Sequence, residues 1–311
     1  MAERSGAMTR QIIIDTDPGI DDAVAILLAL ASPELEVLGL VAVAGNAPLA
    51  ATVRNAGSLV ELAGRAELPV YAGCPRPIGP HRGAAGEAHG GGGLGDLVLP
   101  PPGRPTQTKH GVLHLIDSLR RAAPKSVTLC ALGPLTDIAA ALVMAPDIAP
   151  AIAELVVMGG GTRGNVTAAA EFNIHADPQA AAIVFESGLP ITLVPLDVTE
   201  TVCSTPQRIA PVAALGTRCG DAVAALLGPR RALGQPPMAM HDPCVIAYLL
   251  APGLFRGEGA HVAIETEGTL TSGMTVIDRR RHRRPANARV LESADADGIY
   301  RLLAERLARL P

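Results

Sequence analysis

The stretch IIIDTDPGIDDAVAILLAL, residues 12–30, decides the reading of this chain. Two apolar runs enclose Asp15, Asp17, Asp21 and Asp22. Carboxylates repel one another and are costly to bury unpaired, so four of them in apolar surroundings need a reason. Residues 11–15 predict a buried strand. Residues 21–31 predict a helix whose acidic first turn suits the helix dipole. Pro18 and Gly19 turn the chain between them. Positions two apart on a strand point to one side, so Asp15 and Asp17 share a side while Asp21 and Asp22 arrive at the helix start. Several hard oxygen donors can therefore converge at one point. No cysteine or histidine lies in the cluster, so it suits Ca²⁺ or Mg²⁺ rather than a soft metal. Acidic capping of a helix would account for Asp21 and Asp22, but not for Asp15 and Asp17 at the end of an apolar strand.

Outward from this stretch, strands and helices alternate. Residues 37–44 read as a strand and 49–63 as a helix. PVYAG is a short strand, 109–122 a helix, SVTLCAL a strand, and GPLTDIAAALVMAP a helix closed by proline. ELVVMGG is a strand, DPQAAAIVFES a helix and PITLVPLDV a strand. The strands are continuous apolar runs, as expected where both faces of a parallel sheet are covered. The expected fold class is thus α/β, an open, mostly parallel, doubly wound sheet. Ligands of such sheets sit beyond the carboxyl ends of the strands. DTDPGIDD, AGN (44–46), ALGPLTD (131–137) and MGGGTRGNV (158–166) all fall at such ends, and HDP (241–243) opens a later apolar segment. Residues 73–108, rich in Gly and Pro, break the rhythm and read as a lid, a binding loop or disorder. HVAIETEG, MTVID and ARVLES are strand-like, and 296–310 is a helix. RRRHRR, 279–284, reads as a solvated hairpin loop. Residues 1–10 are expected to be a frayed, disordered tail, and 11–311 one catalytic domain.

Composition narrows the function. The chain of 311 residues is 48% hydrophobic with a formal net charge of −4, which suits neither nucleic acid nor a membrane surface as partner. No apolar run reaches the roughly 18 residues of a spanning helix, and MAERSGAMTR lacks the apolar core of a secretory signal. Cys74, Cys130, Cys203, Cys219 and Cys244 are scattered, which fits idle thiols in a reducing, cytoplasmic setting.

Asp-x-Asp at a strand end also occurs in Mg²⁺-dependent haloacid-dehalogenase-type phosphatases. Those enzymes need a lysine for the phosphoryl group. The only lysines here, Lys109 and Lys125, have no fitting context, and the continuation Pro-Gly-x-Asp-Asp departs from that pattern. By contrast, IIIDTDPGIDDAVAILLAL resembles the signature of the inosine–uridine-preferring nucleoside hydrolases. The resemblance runs on through VYAGCPRPI, His89-Gly90, ALGPLTDIA, VVMGGG, GNVTAAAEFNIHADPQAA, MHDPCVIAYLLAP and DGIYRLLAERL, in family order. It implies cleavage of the N-glycosidic bond of a ribonucleoside to ribose and free base, with one Ca²⁺. The Mg²⁺-dependent phosphatase and a non-catalytic ribose or nucleoside binder with the same fold are the remaining alternatives.

The resemblance also assigns roles. Asp17, Asp22, Asp242 and the carbonyl of Leu132 match the calcium ligands, and Asp15 a position supporting them. Asp17 matches the general base for the attacking water. Asp21, Asn46, Asn165, Glu171 and Asn173 match the residues that hold ribose, together with Asp242. Met158 and Phe172 match the lining of the sugar and base pocket. His241 matches the general acid for the departing base, and His89 a loop position on the base side. The family implies a homodimer or homotetramer. With no Trp, three Tyr and three Phe in the chain, double aromatic stacking on a purine is not expected. The leaning is toward pyrimidine or broad base preference. Arg230, Arg231 and Gln235 are candidates to face the base.

Overall fold

The structure is a computed structural model that describes residues 9–80, 92–228 and 237–311. Three isoleucines in a row can lie inside a sheet only when both its faces are covered. Ile12, Ile13 and Ile14 are all fully buried, and they divide between two cores: Ile12 and Ile14 join one, Ile13 the other. Their strand, β1 (Arg10–Thr16), is followed by β2 (Leu35–Ala42), β3 (Val70–Ala72), β4 (Val127–Ala131), β5 (Ile152–Met158), β6 (Ile191–Val194), β7 (Phe255–Ile264), β8 (Thr275–Asp278) and β9 (Ala288–Ala294). Among the described residues these form one sheet in the order β3-β2-β1-β4-β5-β6-β9-β7-β8. Neighbours from β3 to β9 pair in parallel. β7 runs antiparallel to both β9 and β8. The expected doubly wound α/β sheet is therefore present.

One core packs the helices Ile20–Leu30, Arg218–Leu227, Pro243–Leu250 and Ala296–Leu307 on the face of Ile12 and Ile14. The other packs Gly111–Arg121, Thr136–Met144 and Pro178–Glu186 on the face of Ile13. All eleven residues of Ile20–Leu30 are buried, as expected for a helix that is apolar on every side. Full burial of Ile26, Leu27 and Leu28 stabilises the fold by roughly 1.5–3 kcal/mol per side chain. The same packing holds Asp21 and Asp22 rigidly at the helix start.

From β1 the chain winds outward through β2 to β3. It then returns to the other side of β1 as β4 and winds through β5 to β6. This reversal opens a crevice at the carboxyl ends of β1 and β4, where doubly wound sheets bind their ligands. Asp17 directly follows β1 and Leu132 directly follows β4.

Several expectations change. Of the expected tail, Thr9 and Arg10 are described, and Arg10 already pairs with Leu35 in β2. PITLVPLDV is not one strand: β6 stops at Val194 and Leu196–Thr199 forms a helical turn. Pro195 lacks the N–H a strand would use, and its carbonyl instead accepts from the amides of Val198 and Thr199. RRRHRR is not a hairpin, because β8 and β9 lie on opposite edges of β7. It belongs to the connection that crosses between them. It is solvent-exposed, and its guanidiniums pair with Glu258, Asp278 and Glu292. The helices Phe172–Ala176, Pro206–Ala213 and Arg218–Leu227 were not anticipated. No helix among the described residues is long and apolar enough to cross a membrane. All five cysteines are free.

Candidate active site

Gly19 caps the helix Ile20–Leu30, and its amide donates to Asp22 Oδ2 at 2.9 Å. Thr16 Oγ1 donates to Asp22 Oδ1 at 2.5 Å, and the Asp17 amide to the same oxygen at 3.2 Å. Asn46 Nδ2 reaches Asp22 Oδ2 at 3.0 Å, while the Asn46 amide donates to Asp17 Oδ2 at 2.6 Å. One asparagine at the end of β2 thus fixes two carboxylates of the D-x-D-P-G-x-D-D motif. The backbone is cleared to make room. A Cβ at Gly45 would lie 2.0 Å from Asp17 Oδ2, and one at Gly133 2.5 Å from Asp17 Oδ1.

Asp242 begins the helix Pro243–Leu250, which packs against Ile20–Leu30. This contact brings oxygens of Asp21, Asp22 and Asp242 within 4.8 Å of one another, all three residues being buried. Asp17 Oδ1 is buried and has no hydrogen-bond partner among the described residues. Burial, and then the charge of Asp22, pushes the Asp17 carboxyl well up from the ordinary range. Burial, and then Asp21, also raises the Asp22 carboxyl. Burial, and then Asp21, Asp22 and Asp17, raises Asp242. Such a set holds its anionic form only beside compensating positive charge, and among the described residues no Lys or Arg lines the cleft. The donors are all oxygen, so a hard divalent cation fits. Of the expected ligands, Asp22 and Asp242 lie in the convergent group, joined by Asp21, which was expected to hold ribose. The carbonyl of Leu132 accepts from Asn173 Nδ2 at 2.7 Å.

Behind the cluster lies a second buried carboxylate pair. Neither oxygen of Asp15 has a partner among the described residues, and Asp137 has one from the Cys74 amide at 2.7 Å. Burial, and then Asp137, raises the Asp15 carboxyl. Asp137 was not anticipated: inside ALGPLTD it reads as an ordinary acidic first-turn residue.

The cleft, about 440 Å³, is lined by ten of the expected residues: Asp21, Asn46, Leu132, Met158, Asn165, Glu171, Phe172, Asn173, His241 and Asp242. Glu171 caps its short helix by accepting from the amides of Asn173 at 2.9 Å and Ile174 at 3.1 Å, and it also accepts from Gly160 at 2.9 Å. Burial outweighs these bonds and pushes its carboxyl up to about 7. Asn165 Oδ1 accepts from the Phe172 amide at 3.0 Å, which ties the two ends of the loop. Asn173 also reaches the Met158 carbonyl at 3.2 Å. On another wall, His241 Nδ1 lies 2.7 Å from Thr199 Oγ1. Ile20, Val166, Met238 and Ala239 complete the lining. Sequence reasoning missed these four, although each is within three residues of an assigned position. His89, Arg230, Arg231 and Gln235 lie outside the described residues.

A sequence model of the family described as inosine-uridine preferring nucleoside hydrolase matches residues 12–301. The pyrimidine-specific ribonucleoside hydrolase RihA of Photobacterium profundum is 41% identical, over 97% of this chain and 99% of that protein. The inosine-uridine preferring nucleoside hydrolase of Crithidia fasciculata is 37% identical over the same shares. The solved purine-preferring ribonucleoside hydrolase from Gardnerella vaginalis superposes with a TM-score of 0.88 at 32% identity, covering 96% of this chain and 98% of that one. The class is thus that of ribonucleoside hydrolases, enzymes that cleave an N-glycosidic bond. The chain belongs to the inosine–uridine preferring nucleoside hydrolase family. Phosphatase chemistry and mere ribose binding are thereby set aside. Lys109 sits on the surface, paired with Asp117.

Proposed function

We propose that this cleft hydrolyses ribonucleosides with Ca²⁺ held by Asp17, Asp22, Asp242 and the Leu132 carbonyl, Asp21 standing beside them. The observation that carries this reading is the buried cluster of carboxylates, which no Lys or Arg among the described lining residues balances. When bound, calcium supplies fixed positive charge, lowers the pKa of a water, and orients ribose hydroxyls. Asp17 accepts the proton of the attacking water. Asn46, Asn165, Glu171 and Asn173, with Asp21 and Asp242, hold the sugar through paired amides and carboxylates. The carboxylates stabilise the positive charge that develops on the ribosyl ring as the C1′–N bond breaks. His241 serves the departing base, which is a poor leaving group as a free anion. The catalytic unit spans 11–311.

Among the described residues, Ile20, Met158, Val166, Phe172 and Met238 make the rest of the lining apolar, with a single apolar aromatic ring, that of Phe172. This supports a pyrimidine or broad preference, in line with the mixed preferences of the relatives. The free thiols support a cytoplasmic enzyme of nucleoside salvage. Leu113, Val143 and Met144 are exposed on two helices that pack together, which supports a homodimer or homotetramer.

The test is a panel of uridine, cytidine, inosine, adenosine and guanosine, with free base followed chromatographically before and after chelation. Metal content is measured on the same samples. Release of base from at least one riboside, about one calcium per chain, and loss of both on chelation are expected. Stoichiometric zinc, or full turnover without metal, would overturn the calcium assignment.

A further inference from the structure

Thr199 takes no part in the roles assigned above, yet its hydroxyl lies 2.7 Å from His241 Nδ1. Thr199 is fully buried. Among the described residues its hydroxyl hydrogen-bonds to that ring nitrogen and to nothing else. A buried O–H left without an acceptor is costly, so a hydroxyl with a single partner donates its proton to that partner. A ring nitrogen that accepts a hydrogen bond carries no proton, and the imidazole proton then resides on the other nitrogen.

We infer that Thr199 is a positioning residue for the reaction: it fixes the His241 tautomer with the proton on Nε2 and turns that N–H toward the leaving base. The inference rests on the role of His241 proposed above and specifies its form. His241 acts as a hydrogen-bond donor. As the C1′–N bond breaks, its electron pair passes to the base nitrogen, and the Nε2–H hydrogen bond carries the developing negative charge. The ring keeps its proton throughout. The base takes up a proton from solvent, and this balances the one that the attacking water gives to Asp17. A neutral histidine polarising a substrate atom is an established catalytic device.

The fold holds this pair rigidly. Thr199 ends the turn Leu196–Thr199, whose amides at Leu196, Val198 and Thr199 are bonded to Gly160 and Pro195 carbonyls. The segment leading into His241 is stitched to the chain just beyond that turn. Met240 N donates to the Val202 carbonyl at 2.9 Å, and Ser204 N to the Met238 carbonyl at 2.7 Å. Ser204 Oγ also accepts from Met238 N at 3.1 Å. Both partners therefore sit on one braced piece of backbone, and loss of the hydroxyl removes the bond that sets the state of Nδ1.

The experiment compares wild type, Thr199→Ser, Thr199→Val and His241→Ala on uridine or inosine and on p-nitrophenyl riboside, whose leaving group needs no help. Thr199→Val is expected to lower kcat on the natural riboside by about tenfold or more, a part of the roughly 10²–10³-fold that complete loss of one donor to a developing negative charge costs. Its KM, and its kcat on p-nitrophenyl riboside, should stay near wild type, and Thr199→Ser should restore the loss. ¹⁵N spectra of histidine-labelled wild type, with His241 assigned by difference against His241→Ala, should show Nε2 protonated and Nδ1 bare. That measurement needs no Thr199 variant to fold. Wild-type turnover in Thr199→Val, or a proton on Nδ1, overturns the inference while leaving the role of His241 standing. Equal losses on both substrates in His241→Ala would overturn the role of His241 itself.

Discussion

Asn173 Nδ2 donates to the main-chain carbonyl of Leu132 at 2.7 Å. A side chain assigned to the sugar therefore steadies a carbonyl assigned to the metal, and the two halves of the site share one amide. Asn173→Leu keeps the shape but leaves the Leu132 and Met158 carbonyls without this donor. Loss of such an outer partner typically weakens metal affinity about 10–100-fold. Calcium titration and KM for uridine should therefore worsen together. An unchanged calcium affinity with a raised KM would uncouple the two.

Asp17→Asn should separate activity from stability. An amide can still accept from the Asn46 amide through its carbonyl, but it cannot take a proton from water. Turnover should fall by about 10²–10⁴-fold or more. Stability should move the other way in metal-free protein. The Asp17 carboxyl is raised by burial and by Asp22, so its ionised form opposes folding at neutral pH, and a neutral amide removes that cost. Melting temperatures in chelator should be higher for Asp17→Asn than for wild type. A lower melting temperature would contradict the electrostatic reading of the cluster.

Gly45 and Gly133 leave room for the Asp17 carboxylate on its two sides. Alanine at either position forces that carboxylate to move. A displacement of about 1 Å in a catalytic group can cost about 10²-fold in rate. Gly253→Ala, where a Cβ would meet no heavy atom within 4 Å, is the control. If kcat survives in Gly45→Ala and Gly133→Ala, the position of Asp17 is not critical.

Away from the cleft, His114 stacks on Tyr71 at 3.7 Å, and its Nε2 is buried without a partner among the described residues. Burial, and then Lys109 and Arg121, pushes the ring down to about 4. The unfolded chain therefore takes up this proton first. The stabilising contribution is present above about pH 6.5 and is lost as pH falls toward 4. Between pH 7 and pH 5 the loss is about 2 kcal/mol. Urea unfolding at both pH values should show wild type losing about that much more than His114→Gln. Equal losses would place the acid sensitivity elsewhere.

The sequence by itself determined the sheet class and most of the cleft. Both are written locally: in unbroken apolar strands such as 12–14 and 155–157, and in polar motifs placed where strands end. Its own chemistry also pointed to a hard cation, since four carboxylates with no soft donor among them admit little else. What tertiary structure decided is which carboxylates meet. Asp242 is 220 residues from Asp22 along the chain, and only the packing of Pro243–Leu250 on Ile20–Leu30 brings them together. Asp15 on β1 and Asp137 on the helix Thr136–Met144 come near enough for the charge of Asp137 to raise the Asp15 carboxyl, a pairing that no periodicity reports. Thr199 was unreadable for a further reason. It sits where Pro195 ends β6 and turns the chain, so an apolar run that looked like continuous strand became the turn that carries the partner of His241. Motifs fix residue types through local chemistry. Partners distant in sequence are chosen by packing, which acts only once the two cores close on the sheet.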